Sequence, residues 1–376
     1  MPIQTANTSI DRESVLKRAL NGHIIPGLDA MRVVAIALVV AFHMGFPLSG
    51  SLGVMIFFVL SGFLITSILL KEIRRTGTIS RITFYKRRAY RIFPTYYVCW
   101  LLTIILLWLH HKPVNWSQAA ASFFYVSDYA RAFLPNAQQI SYQMGISWSL
   151  AIEEQFYFLW PMALLWIIGK SKSIATVVGW AILSVWFWRV VLMCMFKVPW
   201  SYAYNAFDTR ADALLIGCWL AIVLHSDLGP IPRTLLNSII SSGWVTVLPL
   251  VALGVANYID MTTSSLALRL MVFSLEPILV AITLLQWIVL GATSWKFLQH
   301  PVVKFVARLS YAIYLYHIIA FGFGLHIPIP HTERFLRIPI VFAMAAASYY
   351  LIELPFLRIR DRGKNQSVLM EDGLLH

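Results

Sequence analysis

Residues 32–45 read RVVAIALVVAFHMG, ten consecutive apolar residues held between Arg32 and His43. The run is apolar on every face, which suits lipid or a membrane bundle rather than the surface of a soluble helix. Similar runs recur at about 30–48, 52–70, 92–110, 148–168, 174–195, 210–226, 241–258, 270–292, 309–327 and 337–354. Each approaches the ~20 apolar residues that a helix needs to cross a bilayer. Over 376 residues, 59% are hydrophobic and 12% charged, against about a quarter charged in soluble domains. The expected fold is an all-α integral membrane protein, a polytopic bundle of about ten transmembrane helices.

The basic residues give the bundle a direction. With the N-terminus inside, the inner side holds the cluster from Lys71 to Arg91 and the run Arg358, Arg360, Arg362 and Lys364, among others. The outer side holds Lys112, Arg131, Lys197, Arg210, Arg269, Arg334 and Arg337. That asymmetry puts the N-terminus and C-terminus in the cytoplasm of a multi-pass inner (plasma) membrane protein. It also accounts for most of the net charge of +13, so no nucleic-acid partner is expected. Three parts follow: a cytoplasmic segment 1–28 with an amphipathic helix over 8–21, a transmembrane domain 29–357, and a polar cytoplasmic tail 358–376. Residues 111–147 make a long outer loop whose stretch SFFYVSDYARAF is apolar enough to lie on or dip into the membrane. Cys99, Cys194 and Cys218 sit in apolar runs without metal-ligand spacing and read as packed thiols; no metal is expected.

Ionisable groups at membrane depth are costly and usually mark function. Arg32 and His43 share nearly one helix face, ~16 Å apart along the axis. Arg32 then lies near the inner mouth and His43 in the outer half, where a histidine serves either chemistry or a hydrogen bond to a neighbouring helix. The stretch KRRAYRIFPTYY, 86–97, puts Arg87, Arg88 and Arg91 at the inner end of the third span, with Phe93-Pro94 marking a bend or its start. The cluster reads as positive-inside anchoring or as an anion site, since guanidinium forks suit phosphates. GISWSLAIEEQFYFLWP, 145–161, carries Glu153 and Glu154 just inside the outer end of the fourth span. FDTRADALLIGCWL, 207–220, places Asp208, Arg210 and Asp212 where they can pair with one another. LSYAIYLYHIIAF, 309–321, holds Tyr314 and His317 near mid-membrane, and YYLIELPFLRIR, 349–360, holds Glu353 ahead of Pro355. Glu276, also before a proline, is a buried acid with no assigned role. There is no HExxH, Gly-rich phosphate loop or GxSxG elbow.

In this order the motifs make the chain resemble the acyltransferase-3 family, membrane-bound O-acylases that include bacterial O-antigen and peptidoglycan O-acetylases. The resemblance runs through GLDAMRVVAIALVVAFH (27–43), GVMIFFVLSGFLIT (53–66), YKRRAYRIFPTYY (85–97), SWSLAIEEQFYFLWP (147–161), TRADALLIG (209–217), LSYAIYLYH (309–317) and LIELPF (351–356). It implies that Arg32 and His43 are the family's Arg-x10-His pair and that Arg87, Arg88 and Arg91 are its activity-linked basic group. It further matches Ser61 to the Leu-Ser-Gly-Phe element and Glu353 to the late acid. Two positions depart: Met55, where the family often has Asp or His, and Ile146, where a His is common.

The implied activity is transfer of an acyl group, most often acetyl, from acyl-CoA to a hydroxyl of a cell-envelope or exported carbohydrate. Acyl-CoA is a donor substrate; no permanently bound cofactor is expected. The arginines at 87, 88 and 91 would hold its phosphates, with Arg32 at the mouth and His43 as general base. Glu153, or else Glu154, would orient His43 or contact the acceptor, and Glu353 completes the expected catalytic set. A covalent intermediate on His43 or Ser61 stands open beside direct transfer. The alternative class is a multi-span exporter of a lipid-linked glycan or small solute, which broken helices and buried charges also suit.

Overall fold

The computed structural model describes residues 12–22, 25–48, 50–133, 144–171, 173–225, 243–322 and 333–360. All regular structure among the described residues is helical. The N-terminal half comprises α1 (Arg12–Asn21), α2 (Leu28–His43), α3 (Gly50–Thr76), α4 (Arg81–Leu109), α5 (Trp116–Phe123), α6 (Ser127–Phe133) and α7 (Ser147–Lys170). The remainder comprises α8 (Ile174–Cys194), α9 (Trp200–Asn205), α10 (Phe207–His225), α11 (Gly243–Thr262), α12 (Leu266–Thr293), α13 (Pro301–Gly322) and α14 (Glu333–Ser348).

Seven helices among the described residues are long and apolar enough to cross a membrane: α3, α4, α8, α11, α12, α13 and the segment Phe335–Arg360 that contains most of α14. The sequence pattern gave ten. The other three expected spans are also helices, but α2 has 16 residues, short of the ~20 that span a bilayer. The helices α7 and α10 are long enough but carry Glu153 and Glu154, and Asp208, Arg210 and Asp212. Outward faces of α8 and α11 present Trp180, Phe187, Leu248 and Val251, the surface a bundle offers to lipid.

The helix α3 is the centre of the bundle, with Met55, Phe58, Val59, Phe63 and Leu69 free of solvent exposure. Its closest partner is α10. A Cβ on Gly62 would lie 1.9 Å from the Leu214 carbonyl oxygen, and one on Gly217 would lie 2.1 Å from that of Val59. These two glycines let the backbones touch, the packing device that helices use in lipid, where no hydrophobic force drives them together.

Several local features refine the sequence pattern. The third span begins at Arg81, and Pro94 lies inside it as part of one continuous helix; a proline removes one backbone donor without ending a helix that neighbours hold. The N-terminal helix docks on α12 by burying Leu16, Ala19 and Leu20, spaced for one helix face. The outer stretch around SFFYVSDYARAF folds into α5 and α6, packed against α7 and α9. Near the other end, Tyr349–Glu353 form a π-helical turn in which the Leu354 N–H reaches back to the Tyr349 carbonyl. Pro355 has no N–H to give, so the wider turn forms just ahead of it and points Glu353 inward, 4% exposed. Residues 1–11, Gly324 and the tail 361–376 lie outside the described residues.

Candidate active site

A cavity of about 130 Å³ opens where α2, α3, α4, α7 and α13 converge. Helical periodicity explains which side chains reach it. On α7, Ser149, Glu153 and Tyr157 recur every four residues and form one stripe, with Glu154 beside it. On α4, Arg88 and Arg91 are three apart and face the same space. Arg32 enters from α2, Ser61 from α3, and Ser310, Tyr311 and Tyr314 from α13.

Glu153 organises the centre. Its Oε2 accepts hydrogen bonds from Ser61 Oγ at 3.0 Å and from the Tyr157 hydroxyl at 2.6 Å. The Arg88 guanidinium lies over the Tyr157 ring, 3.5 Å from its centroid. Glu153 and Glu154 are within Coulombic range of Arg88, while Arg91 feels Arg32, Arg88 and Glu353. Arg32 is held by Asp29 at 2.9 Å. The Nε of Arg88 is buried without a hydrogen-bond acceptor among the described residues.

Above the cavity stands Tyr314. Its hydroxyl hydrogen-bonds Ser149 Oγ and donates to the Ile146 carbonyl at 3.3 Å. The ring lies 5.7 Å from that of His317, which in turn meets His43 edge to face at 4.8 Å. Both imidazoles are anchored to their own helices, His43 Nδ1 to Val39 O at 2.8 Å and His317 Nδ1 to Tyr314 O at 2.7 Å. A carbonyl only accepts, so each Nδ1 carries the hydrogen, and in the neutral ring Nε2 is then the acceptor nitrogen.

The short helix α6, packed on α7 and α9, closes over this column. Arg131 on α6 donates to Gly145 O at 2.6 Å and is within Coulombic range of Tyr204, Tyr314 and His43. Burial pulls its guanidinium below the usual arginine range. Asp128, fully buried at the start of α6, accepts from Gln155 Nε2 at 2.9 Å. Burial pushes its carboxyl up to about 6.

The structure thus gathers Arg32, Ser61, Arg88, Arg91, Glu153, Glu154 and Tyr314 around one cavity. His43 and His317 lie beyond Tyr314 rather than on the cavity wall, and Glu353 sits behind Arg91. Arg87 is exposed on α4 and faces away. Arg210 is buried elsewhere, among aromatic rings. Met55 is a fully buried packing residue, and Ile146 contributes its backbone carbonyl. Tyr157 and Ser149 were not singled out from sequence; their four-residue spacing from Glu153 was the available signal.

The family model described as an acyltransferase domain matches residues 25–355. The chain is 31% identical over 365 residues to the peptidoglycan O-acetyltransferase OatA of Listeria monocytogenes, covering 88% of this chain and 55% of that protein. It is 30% identical over 376 residues to the O-acetyltransferase OatA of Staphylococcus aureus, covering 93% of this chain and 59% of that one. It therefore spans little more than half the length of these relatives. No solved structure matches it. A match of that family model over residues 25–355, in an all-helical chain, establishes that the chain belongs to the acyltransferase-3 family of enzymes.

Proposed function

We propose that the chain transfers an acetyl group from acetyl-CoA to a hydroxyl of a cell-wall carbohydrate. It does so in the inner (plasma) membrane, as a bundle of ten crossing helices with both ends in the cytoplasm. The helices α7 and α10 cross with the rest because their charged residues turn inward, as Glu153 on α7 and Arg210 and Asp212 on α10 do, and the short α2 crosses packed against α3. The observation that carries the reading is the cavity. Arg32, Arg88 and Arg91 converge there with Glu153, and the Arg88 Nε is a buried donor awaiting an acceptor. Phosphate oxygens of a donor arriving from the cytoplasm supply such acceptors.

The thioester then lies on the inner side of Tyr314, and His43 on the outer side. The acceptor hydroxyl oxygen attacks the thioester carbonyl carbon. The new C–O bond forms, the C–S bond breaks, and the hydroxyl proton passes to His43 Nε2 and leaves with the CoA thiol. Val39 keeps Nδ1 protonated, which reserves Nε2 for that role. Tyr314 releases Ser149 to open the way between donor and His43. The peptidoglycan named for the Listeria relative makes a cell-wall glycan the first acceptor to try.

The experiment uses membranes with wild-type protein or His43→Ala, given labelled acetyl-CoA and peptidoglycan. Label on the glycan with wild type alone is expected. Equal label with both removes His43 from the chemistry, and none with wild type overturns the transferase reading.

A further inference from the structure

Arg210 is 0% exposed, and none of its three guanidinium nitrogens has a hydrogen-bond acceptor among the described residues. The nearby Asp212 is already engaged: Arg189 pairs with it at 2.6 Å and Trp186 Nε1 donates to it at 2.9 Å. What encloses Arg210 is aromatic. Its guanidinium lies 4.0 Å from the ring centre of Phe273, 5.2 Å from Tyr204, 5.7 Å from Phe58 and 6.0 Å from Trp148. Ring faces attract a cation but take no in-plane N–H.

Glu276 on α12 is the complementary case. It is 1% exposed, its Oε1 has no donor, and it is within Coulombic range of Arg210. So a buried donor set and a buried acceptor on two helices each lack a partner, with no ion pair joining them among the described residues. Leaving such groups without partners costs the full desolvation of each. Native structures rarely keep them without a reason.

We propose that Arg210, Glu276 and the surrounding rings form a binding subsite for a neutral polyhydroxylated ring, the sugar of the acceptor. A hydroxyl both accepts from a guanidinium and donates to a carboxylate, so one sugar edge satisfies both residues. A simple anion would satisfy Arg210 but meet repulsion from Glu276. The flat C–H face of a pyranose packs on aromatic rings. Tyr204, half-buried on α9, is the ring that yields for entry. It is within Coulombic range of Arg131, which in turn reaches His43. The sugar's identity as acceptor rests on the transferase reading; the binding itself does not.

The test measures melting of the purified full chain in detergent with chitotetraose, a neutral oligosaccharide, or with sulfate at matched ionic strength. Chitotetraose is expected to raise the melting temperature of wild type, and sulfate is not. Arg210→Lys, Glu276→Gln and Tyr204→Ala are each expected to weaken the oligosaccharide response at least tenfold while leaving acetyl-CoA binding unchanged. If Arg210→Lys fails to fold, the other two variants decide. No response in wild type, an unchanged response in the variants, or a response to sulfate alone overturns the subsite. Labelled transfer is run on the same preparations. Loss of transfer with the oligosaccharide response intact sinks the transferase reading and leaves the subsite standing; the reverse sinks the subsite.

Discussion

Arg88 lies over the Tyr157 ring, 3.5 Å from guanidinium carbon to ring centre, and the same Tyr157 donates its hydroxyl to Glu153 at 2.6 Å. One tyrosine therefore couples a cation on the cavity wall to the carboxylate that holds Ser61. Tyr157→Phe keeps the stacking and deletes the hydrogen bond. A hydrogen bond to a charged group is worth ~1.5–3 kcal/mol, so transfer is expected to fall about 10- to 100-fold, with elution and melting close to wild type. Tyr157→Ala loses both contacts and is expected to fall further.

Adjacent arginines separate by position. Arg88 lines the cavity and Arg87 is exposed. Arg88→Gln is expected to weaken acetyl-CoA binding about tenfold or more, the loss of one charge-assisted contact. Arg87→Gln is expected to stay within about twofold of wild type, because an exposed charge is screened. Titration of labelled donor into purified protein compares them; equal effects would remove the distinction.

The seam between α3 and α10 has no room for a methyl group. Gly62→Ala puts a carbon against the Leu214 carbonyl and should cost about 3 kcal/mol or more, since packed backbones must part. Gly254→Ala meets nothing within 4 Å and serves as the control. Fluorescence-detected size exclusion should show the first variant aggregated or depleted and the second unchanged.

Asp128 links stability to pH. Its carboxyl titrates at about 6 in the fold against 3.8 ordinarily. The native state therefore binds this proton more tightly than the unfolded chain does. The contribution is full below about 3.8, shrinks as pH rises, and is lost above about 6. Melting temperatures measured between pH 5 and 8 should carry a component that falls with rising pH, and Asp128→Asn should remove it while raising the melting temperature at pH 8. An unchanged slope in Asp128→Asn would assign the dependence to another group.

Much of the site was legible because charge is conspicuous in an apolar chain. Arg32, Arg88, Arg91 and Glu153 stood out for that reason, and the structure draws them to one cavity. Depth was harder to read. Glu153 counts from the outer end of its helix and Arg88 from the inner end, yet they share a space, because α4 starts at Arg81 and carries Arg88 two turns inward. Neighbours in sequence point about 100° apart on a helix, so the string Arg87-Arg88 alone does not say which faces in. Tyr157 was invisible among the aromatic residues of FYFLW, where nothing but spacing separates a site residue from a lipid-facing one. The sequence pattern counted α2, α7 and α10 with the rest, although α2 has only 16 residues and α7 and α10 carry charged residues within the run.

The glycine contacts between α3 and α10 also fix a length. Ser61 adjoins Gly62, and Arg210 stands one turn before Leu214, the residue that Gly62 touches. The two helices cannot slide by a turn without driving a side chain into the notch that each glycine leaves, so they travel as one body. The wall of the cavity and the aromatic box are mounted on that body, and the interval between them acts as a ruler. Whatever rearranges during turnover must move the surrounding helices against this ruler, leaving its span unchanged.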